Sequence, residues 1–210
     1  MKLIIATPSP YARKVRIALI EKKIDYEEII DVPWNENTLT ENKNPLGKIP
    51  ILLLENKPPL FDSKLIINFL DNYVDDPLMY PTNPDENLKA KLIEIVADGI
   101  CDALVLICLE KTRTENLISQ NWIDRQEKKI FDGFDYIEKD LGQKQYFVGN
   151  HFNIADVSVF SCLGFVHLRF PSFQWKEKYP NLKKYWNKHK LRESLIKTIP
   201  KKQIVNKITY

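Results

Sequence analysis

The chain is poor in the residues that build metal centres and disulfide frameworks, with three cysteines and three histidines among 210 residues. No CxxC pair occurs. Cys101 and Cys108 stand seven positions apart in a helical pattern, a rise of roughly 10 Å, whereas a disulfide needs Cα atoms about 4.4–6.8 Å apart. Together with Cys162 they read as buried thiols in a reducing compartment. His151, His167 and His189 show no ligand spacing with cysteine or acid, so no metal is expected. Long hydrophobic runs are also missing. The apolar run at residues 3–6 is too short for a signal core, and no later stretch is long enough to span a bilayer. A cytoplasmic location and no membrane partner are therefore expected. Charge of one sign is lacking too: 31 basic and 28 acidic residues leave a net +3, which demands no nucleic acid. There is no internal repeat and no low-complexity tract.

What is present suits a globular protein with a real core: 44% hydrophobic and 28% charged residues. Residues 2–6 have strand length and apolar character. Ser9 then reads as a helix N-cap and Pro10 as the first helical position, with Tyr11, Val15, Ala18 and Leu19 recurring at helical spacing. A strand over 26–30 completes strand–helix–strand. Residues 31–46 are polar and irregular, with a short helix expected near 38–42. Strands follow at 51–54 and 60–61, and Ser63 is expected to cap a helix. Three prolines in residues 75–86 mark a linker. Beyond it no strand remains, and helices are expected over 86–112, 118–141, 153–169, 180–190 and 192–198. The domains read as 1–76, a 77–86 linker and 87–210. Residues 183–207 carry nine Lys or Arg and one acid, Glu193. No RNP, KH or zinc signature accompanies them, so a solvated helical face with a polar tail from about Lys201 is expected.

Three local signals occur in one order: Ser9-Pro10-Tyr11-Ala12-Arg13-Lys14-Val15-Arg16 at the first strand–helix junction, Asn44-Pro45-Leu46-Gly47-Lys48-Ile49-Pro50 before the third strand, and Phe61-Asp62-Ser63 opening the next helix. With Phe152-Asn153-Ile154-Ala155-Asp156 and Tyr179-Pro180-Asn181-Leu182 plus Trp186, they resemble the cytosolic glutathione S-transferase family over nearly the whole chain. The resemblance implies an N-terminal thioredoxin-like domain of order β-α-β-α-β-β-α followed by an all-helical bundle. It implies glutathione as co-substrate with no metal, a small electrophile as partner, a homodimer, and a role in detoxification. Related possibilities on the same fold are a non-catalytic binding or regulatory protein and a glutathione-dependent isomerase or dehalogenase.

Each motif has a chemical rationale. A free thiol has a pKa of about 8.5, so activating it means stabilising the thiolate. Ser9 lies where a hydroxyl and a helix N-terminus meet. It reads equally as an N-cap, and the resemblance to serine-type members makes it the hydroxyl donor, with Tyr11 as the alternative. No cysteine falls at positions 9–12, which disfavours a mixed-disulfide mechanism. Arg13, Lys14 and Arg16 oppose the helix dipole. They read as a solvated face, with Arg13 an auxiliary candidate. By resemblance the Ile49–Pro50 bond is cis, exposing the Ile49 backbone to the peptide of glutathione. Lys48 could reach a ligand carboxylate, with Trp34 a second neighbour of that end. Ser63 as N-cap suits the γ-glutamyl carboxylate, and Asp62 its ammonium. Ile100, Leu104 and Cys108 are candidate wall residues for the electrophile. Asn153 and Asp156 form a capping box with Phe152 as staple.

Overall fold

A computed structural model describes residues 1–203 and divides the chain into two compact units. The first comprises residues 1–80 and 192–203 of those described; the second is 81–191.

The first unit is built on a four-stranded sheet: β1 (Lys2–Ile5), β2 (Glu27–Ile30), β3 (Ile51–Leu53) and β4 (Leu60–Phe61), in the order β2-β1-β3-β4. β1 pairs parallel with β2 and antiparallel with β3, and β3 pairs antiparallel with β4. The parallel pair needs a crossover, which helix α1 (Pro10–Glu21) supplies. β1 is central, so Leu3, Ile4 and Ile5 are all buried and the strand reads as a continuous apolar run instead of an alternating one. Helix α2 (Ser63–Tyr73) packs on α1.

The helix expected near 38–42 does not form, and the segment turns instead. The cause is Asp31. Its carboxylate accepts from the Thr38 hydroxyl (2.5 Å), the Thr40 hydroxyl (2.6 Å) and the Thr40 N–H (2.9 Å). Side-chain partners of this kind give the backbone an alternative to helix bonds.

The division of the chain also differs from the 1–76, 77–86 and 87–210 scheme. Residues 75–80 belong to the first unit. The buried Lys22 ammonium pairs with Asp71 at 2.8 Å and donates to the carbonyls of Val74 (2.6 Å) and Pro77 (2.7 Å). Asp71 in turn accepts from the N–H groups of Met79 and Tyr80. The final stretch joins the same unit because Glu21, at the end of α1, pairs with Arg192 at 2.6 Å and accepts from the Ser194 hydroxyl.

In the second unit α3 (Pro84–Glu110) packs against both α4 (Gln120–Leu141) and α5 (Ile154–Arg169). A 3₁₀ turn (Glu115–Leu117), α6 (Trp175–Lys178) and α7 (Pro180–His189) complete it. α4 is amphipathic: Ile123, Ile130, Phe134, Ile137 and Leu141 are buried at helical spacing. Gly133 lets α3 approach closely, since a Cβ there would meet Ile100 Cγ1 at 2.6 Å. α5 is buried on every side from Ile154 to Val166, as a helix apolar all round must be. Its start carries the expected capping box. Asp156, without solvent exposure, also accepts from the Phe147 N–H (3.1 Å) and the Tyr185 hydroxyl. Burial pushes its carboxyl up to about 6, and those hydrogen bonds pull against that shift. Helix α8 (Glu193–Lys197) lies in the first unit against α1.

Candidate functional site

The register of the sheet gathers the sequence motifs. Ile4 of β1 lies opposite Ile51 of β3, and Ile51 lies opposite Phe61 of β4. One residue further, Pro50 and Asp62 come to the same end of the sheet, beside the C-terminal end of β1. The turn carrying Ser9 leaves from that end. β2 runs parallel to β1, so Asp31, just after Ile30, is delivered there too.

Ser9 is the N-cap of α1, and its Oγ accepts from the Ala12 N–H at 3.2 Å. Pro10 occupies the first helical turn, as the sequence indicates. The first turn of α1 contains no acid, so nothing there neutralises the positive end of the helix dipole. Tyr11 is half-buried in the same turn.

Arg13 does not lie on a solvated face. It is 3% exposed, and its guanidinium donates to the Leu195 carbonyl (3.3 Å) and the Thr198 hydroxyl (3.4 Å). Burial, with Arg16 nearby, pulls its pKa down to about 9, so it stays charged at neutral pH. Lys14 is buried as well. Of the three cations only Arg16 is partly open, paired with Glu28 at 2.7 Å.

The Ile49–Pro50 peptide bond is cis. Pro50 is buried, Ile49 half-buried and Lys48 exposed. The turn before them is organised by Asn44, which the sequence reading left without a role. Its Nδ2 donates to the Lys48 carbonyl (2.8 Å) and its Oδ1 accepts from the Leu46 N–H (3.0 Å). Gly47 supplies the positive φ of +60° that the turn requires. An asparagine just before a proline is a turn signal that could have revealed this role. Trp34 is exposed in the loop that Asp31 organises. There burial pushes the Asp31 carboxyl up, but the bonds from Thr38 and Thr40 outweigh it and hold it below its usual value.

Asp62, not Ser63, is the N-cap of α2. It sits at φ 70° and accepts from the Lys64 N–H at 2.8 Å. Asp is several-fold enriched among the non-glycine residues found at positive φ, and its short carboxylate reaches the helix end directly. Ser63 becomes the first helical residue and is buried.

Of the candidate wall residues, Ile100 and Leu104 are buried in the helical unit and Cys108 is half-buried. Burial pushes the Cys108 thiol up, against the pull of Arg169 and Lys111. Lys183, Lys184, Lys188 and Lys190 are exposed on or just after α7, while Lys207 lies outside the described residues. Among the described residues no group of three or more His, Cys, Asp or Glu could hold a metal, and no helix is long and apolar enough to cross a membrane.

The geometry has close counterparts. Residues 8–72 match the glutathione S-transferase N-terminal domain model and residues 120–185 the C-terminal domain model. An uncharacterised GST-like protein of Escherichia coli K12, YibF, is 33% identical over 202 residues, covering 96% of this chain and 100% of its own. A glutathione S-transferase of Methylobacterium radiotolerans, solved in complex with glutathione sulfonate, superposes with a TM-score of 0.96 at 38% identity, covering 100% of this chain and 99% of its own. One from Methylobacillus flagellatus, with glutathione bound, gives 0.92 at 33% identity over 95% and 99%. With both of its family domains matched and relatives alike over their full length, this chain belongs to the glutathione S-transferase family.

Proposed function

We propose that this protein is a glutathione transferase that ionises the thiol of bound glutathione at Ser9 and directs it at a small electrophile. The observation that carries the reading is the convergence of Ser9, Ile49-Pro50 and Asp62-Ser63 at one end of the sheet. Solved relatives that hold glutathione or its sulfonate support it.

Capping and catalysis do not compete at Ser9. A hydroxyl has one donor and two acceptor sites. While Oγ accepts from the Ala12 N–H, its own hydrogen stays available to donate to sulfur, and accepting a bond strengthens the donation. Lowering a thiol pKa by about two units requires about 2.7 kcal/mol. A hydrogen bond to a charged group contributes about 1.5–3 kcal/mol, and the helix N-terminus typically adds about 0.3–1 kcal/mol. The two together meet the requirement.

The remaining groups bind and orient. The Ile49 backbone pairs with the cysteinyl backbone in a ladder-like rung. The first-turn N–H groups of α2 hold the γ-glutamyl carboxylate, and Asp62, which turns one oxygen to Lys64 N–H, offers the other to the ammonium. Lys48, exposed beside this turn, and Trp34 serve the glycine end. In the chemical step the thiolate forms a C–S bond to the electrophilic carbon, and the leaving group departs with the displaced electron pair. The three free cysteines suit a reducing cytoplasm. Exposed apolar side chains on α3 (Leu88, Leu92, Ile95) support a homodimer.

Calorimetry with glutathione at millimolar concentration tests this reading, with thiolate absorbance followed in the same samples. Wild type binds and shows thiolate, and Ser9→Ala binds with a much smaller thiolate signal at neutral pH. If Ser9→Ala keeps the thiolate and Tyr11→Phe loses it, Tyr11 is the donor. If wild type does not bind, a non-catalytic role on the same fold replaces the proposal.

A further inference from the structure

The last described residues return to the turn that carries Ser9. All three hydrogen-bonding groups of Thr7 engage them. Its N–H donates to Gln203 Oε1 (3.1 Å), its hydroxyl donates to the Lys201 carbonyl (3.0 Å), and its carbonyl accepts from the Lys201 N–H (3.4 Å). Gln203 Nε2 also donates to the Asp31 carbonyl at 3.3 Å, at the head of the 31–44 loop. Upstream, Arg13 holds Leu195 and Thr198, and Arg16 Nη2 donates to the Lys197 carbonyl at 3.3 Å. The polar tail expected from Lys201 is therefore fastened through Gln203.

Its attachment point matters. Only Pro8 separates Thr7 from Ser9, and its ring restricts both its own φ and the conformation of Thr7. The Ser9 N–H donates back to the Ala6 carbonyl at 3.0 Å. A shift at Thr7 is thus carried into Ser9 with little slack. Active-site hydroxyls must be held within about 0.5 Å of the productive position, and surface turns are more mobile than the elements they connect, so added anchorage at Thr7 bears on that tolerance.

We infer that residues 198–203 form a strap that positions the Ser9 hydroxyl, with Thr7 and Gln203 as its positioning residues. The inference rests on the proposed role of Ser9 as hydroxyl donor to the glutathione thiol. The strap touches Ser9 only through the chain, so it governs ionisation of the sulfur more than capture of the peptide.

The test uses the full chain and three variants: Thr7→Val/Gln203→Leu, Gln203→Leu alone, and Thr7→Ser. The pH midpoint of the bound thiolate is read by absorbance, affinity for glutathione by calorimetry, and folding by thermal melt. The double variant raises the midpoint by at least half a unit, about a threefold loss of thiolate below the midpoint, while affinity stays within about twofold. Thr7→Ser keeps the hydroxyl and matches wild type. In a Ser9→Ala background the strap substitutions change nothing further. A folded double variant with the wild-type midpoint overturns the strap, as does a Thr7→Ser variant shifted as far as the double. If the double variant does not fold, Gln203→Leu alone decides by the same criterion. A wild type that shows thiolate beside an unmoved variant overturns the strap only. A wild type without thiolate overturns the Ser9 reading and the strap with it.

Discussion

Asp156 is an acid with no exposed surface, held by the N–H groups of Phe147 and Asn153 and by the Tyr185 hydroxyl. Replacing it with alanine removes the acceptor shared by three buried donors, each such loss costing about 1–3 kcal/mol. Asp156→Ala is therefore expected to lose at least about 3 kcal/mol, visible as a large fall in melting temperature; an unchanged melt contradicts this. Its folded pKa of about 6 lies above the unfolded value of about 3.9. The native state thus holds the proton more tightly, and that contribution to stability is complete below about pH 4 and is lost as pH rises through about 6. Side-chain carbon NMR should find the Asp156 midpoint near 6, and a midpoint at or below the ordinary value contradicts the assignment. Lys22 is the cationic counterpart, buried and bound to Asp71 and two carbonyls. Lys22→Met leaves Asp71 without this partner and should cost about 3–5 kcal/mol in denaturant unfolding; a loss within about 0.5 kcal/mol, as at a solvated surface position, contradicts it. At this scale the sequence was legible where the chemistry is local: the Ser9 cap, Pro10 and the Asn153–Asp156 box all read from neighbouring residues. Arg13 and Lys22 were not legible, because their partners lie 182 and 52 positions away.

At the scale of elements, the strands and helices follow the apolar spacing closely, and α1, α4 and α5 fall where their caps and periodicity put them. The 3₁₀ turn at Glu115–Leu117 and helix α6 were not expected, and one further departure is instructive. Residues 38–42 have helix length and no breaker, yet Asp31 claims Thr38 and Thr40 and bends them into turns. No window of local propensity registers a carboxylate arriving from the end of the preceding strand. The one-residue move of the α2 cap from Ser63 to Asp62 has the same flavour: either side chain caps well, and the positive φ that decides the matter is a property of the fold. Asp31→Ala should release the 31–44 loop. Amide exchange at Thr40 is expected to speed up by at least tenfold, with a loss of about 2 kcal/mol or less in global stability; unchanged exchange contradicts the role given to Asp31. Because its folded pKa is depressed, this contribution is complete at neutral pH and fades as pH falls through the folded value.

At the scale of the whole molecule, the change from strands to helices near residue 80 is legible from the prolines and the shift in periodicity. The return of the chain from Arg192 to the first unit is not, since a short polar helix and tail carry no sign of where they dock. The exposed stripe of Leu88, Leu92 and Ile95 predicts self-association. Sedimentation should give about 49 kDa, twice the 24.7 kDa chain, and Leu92→Lys should shift it toward the monomer; a wild type sedimenting as a monomer contradicts the dimer. The central claim, however, is chemical. The most direct measurement is the pH titration of thiolate absorbance for glutathione bound to wild type and to Ser9→Ala. The account predicts a wild-type midpoint well below the free thiol's and a rise of about one unit or more in Ser9→Ala, equivalent to about 1.4 kcal/mol. Equal midpoints in the two proteins, with glutathione bound to both, would contradict it.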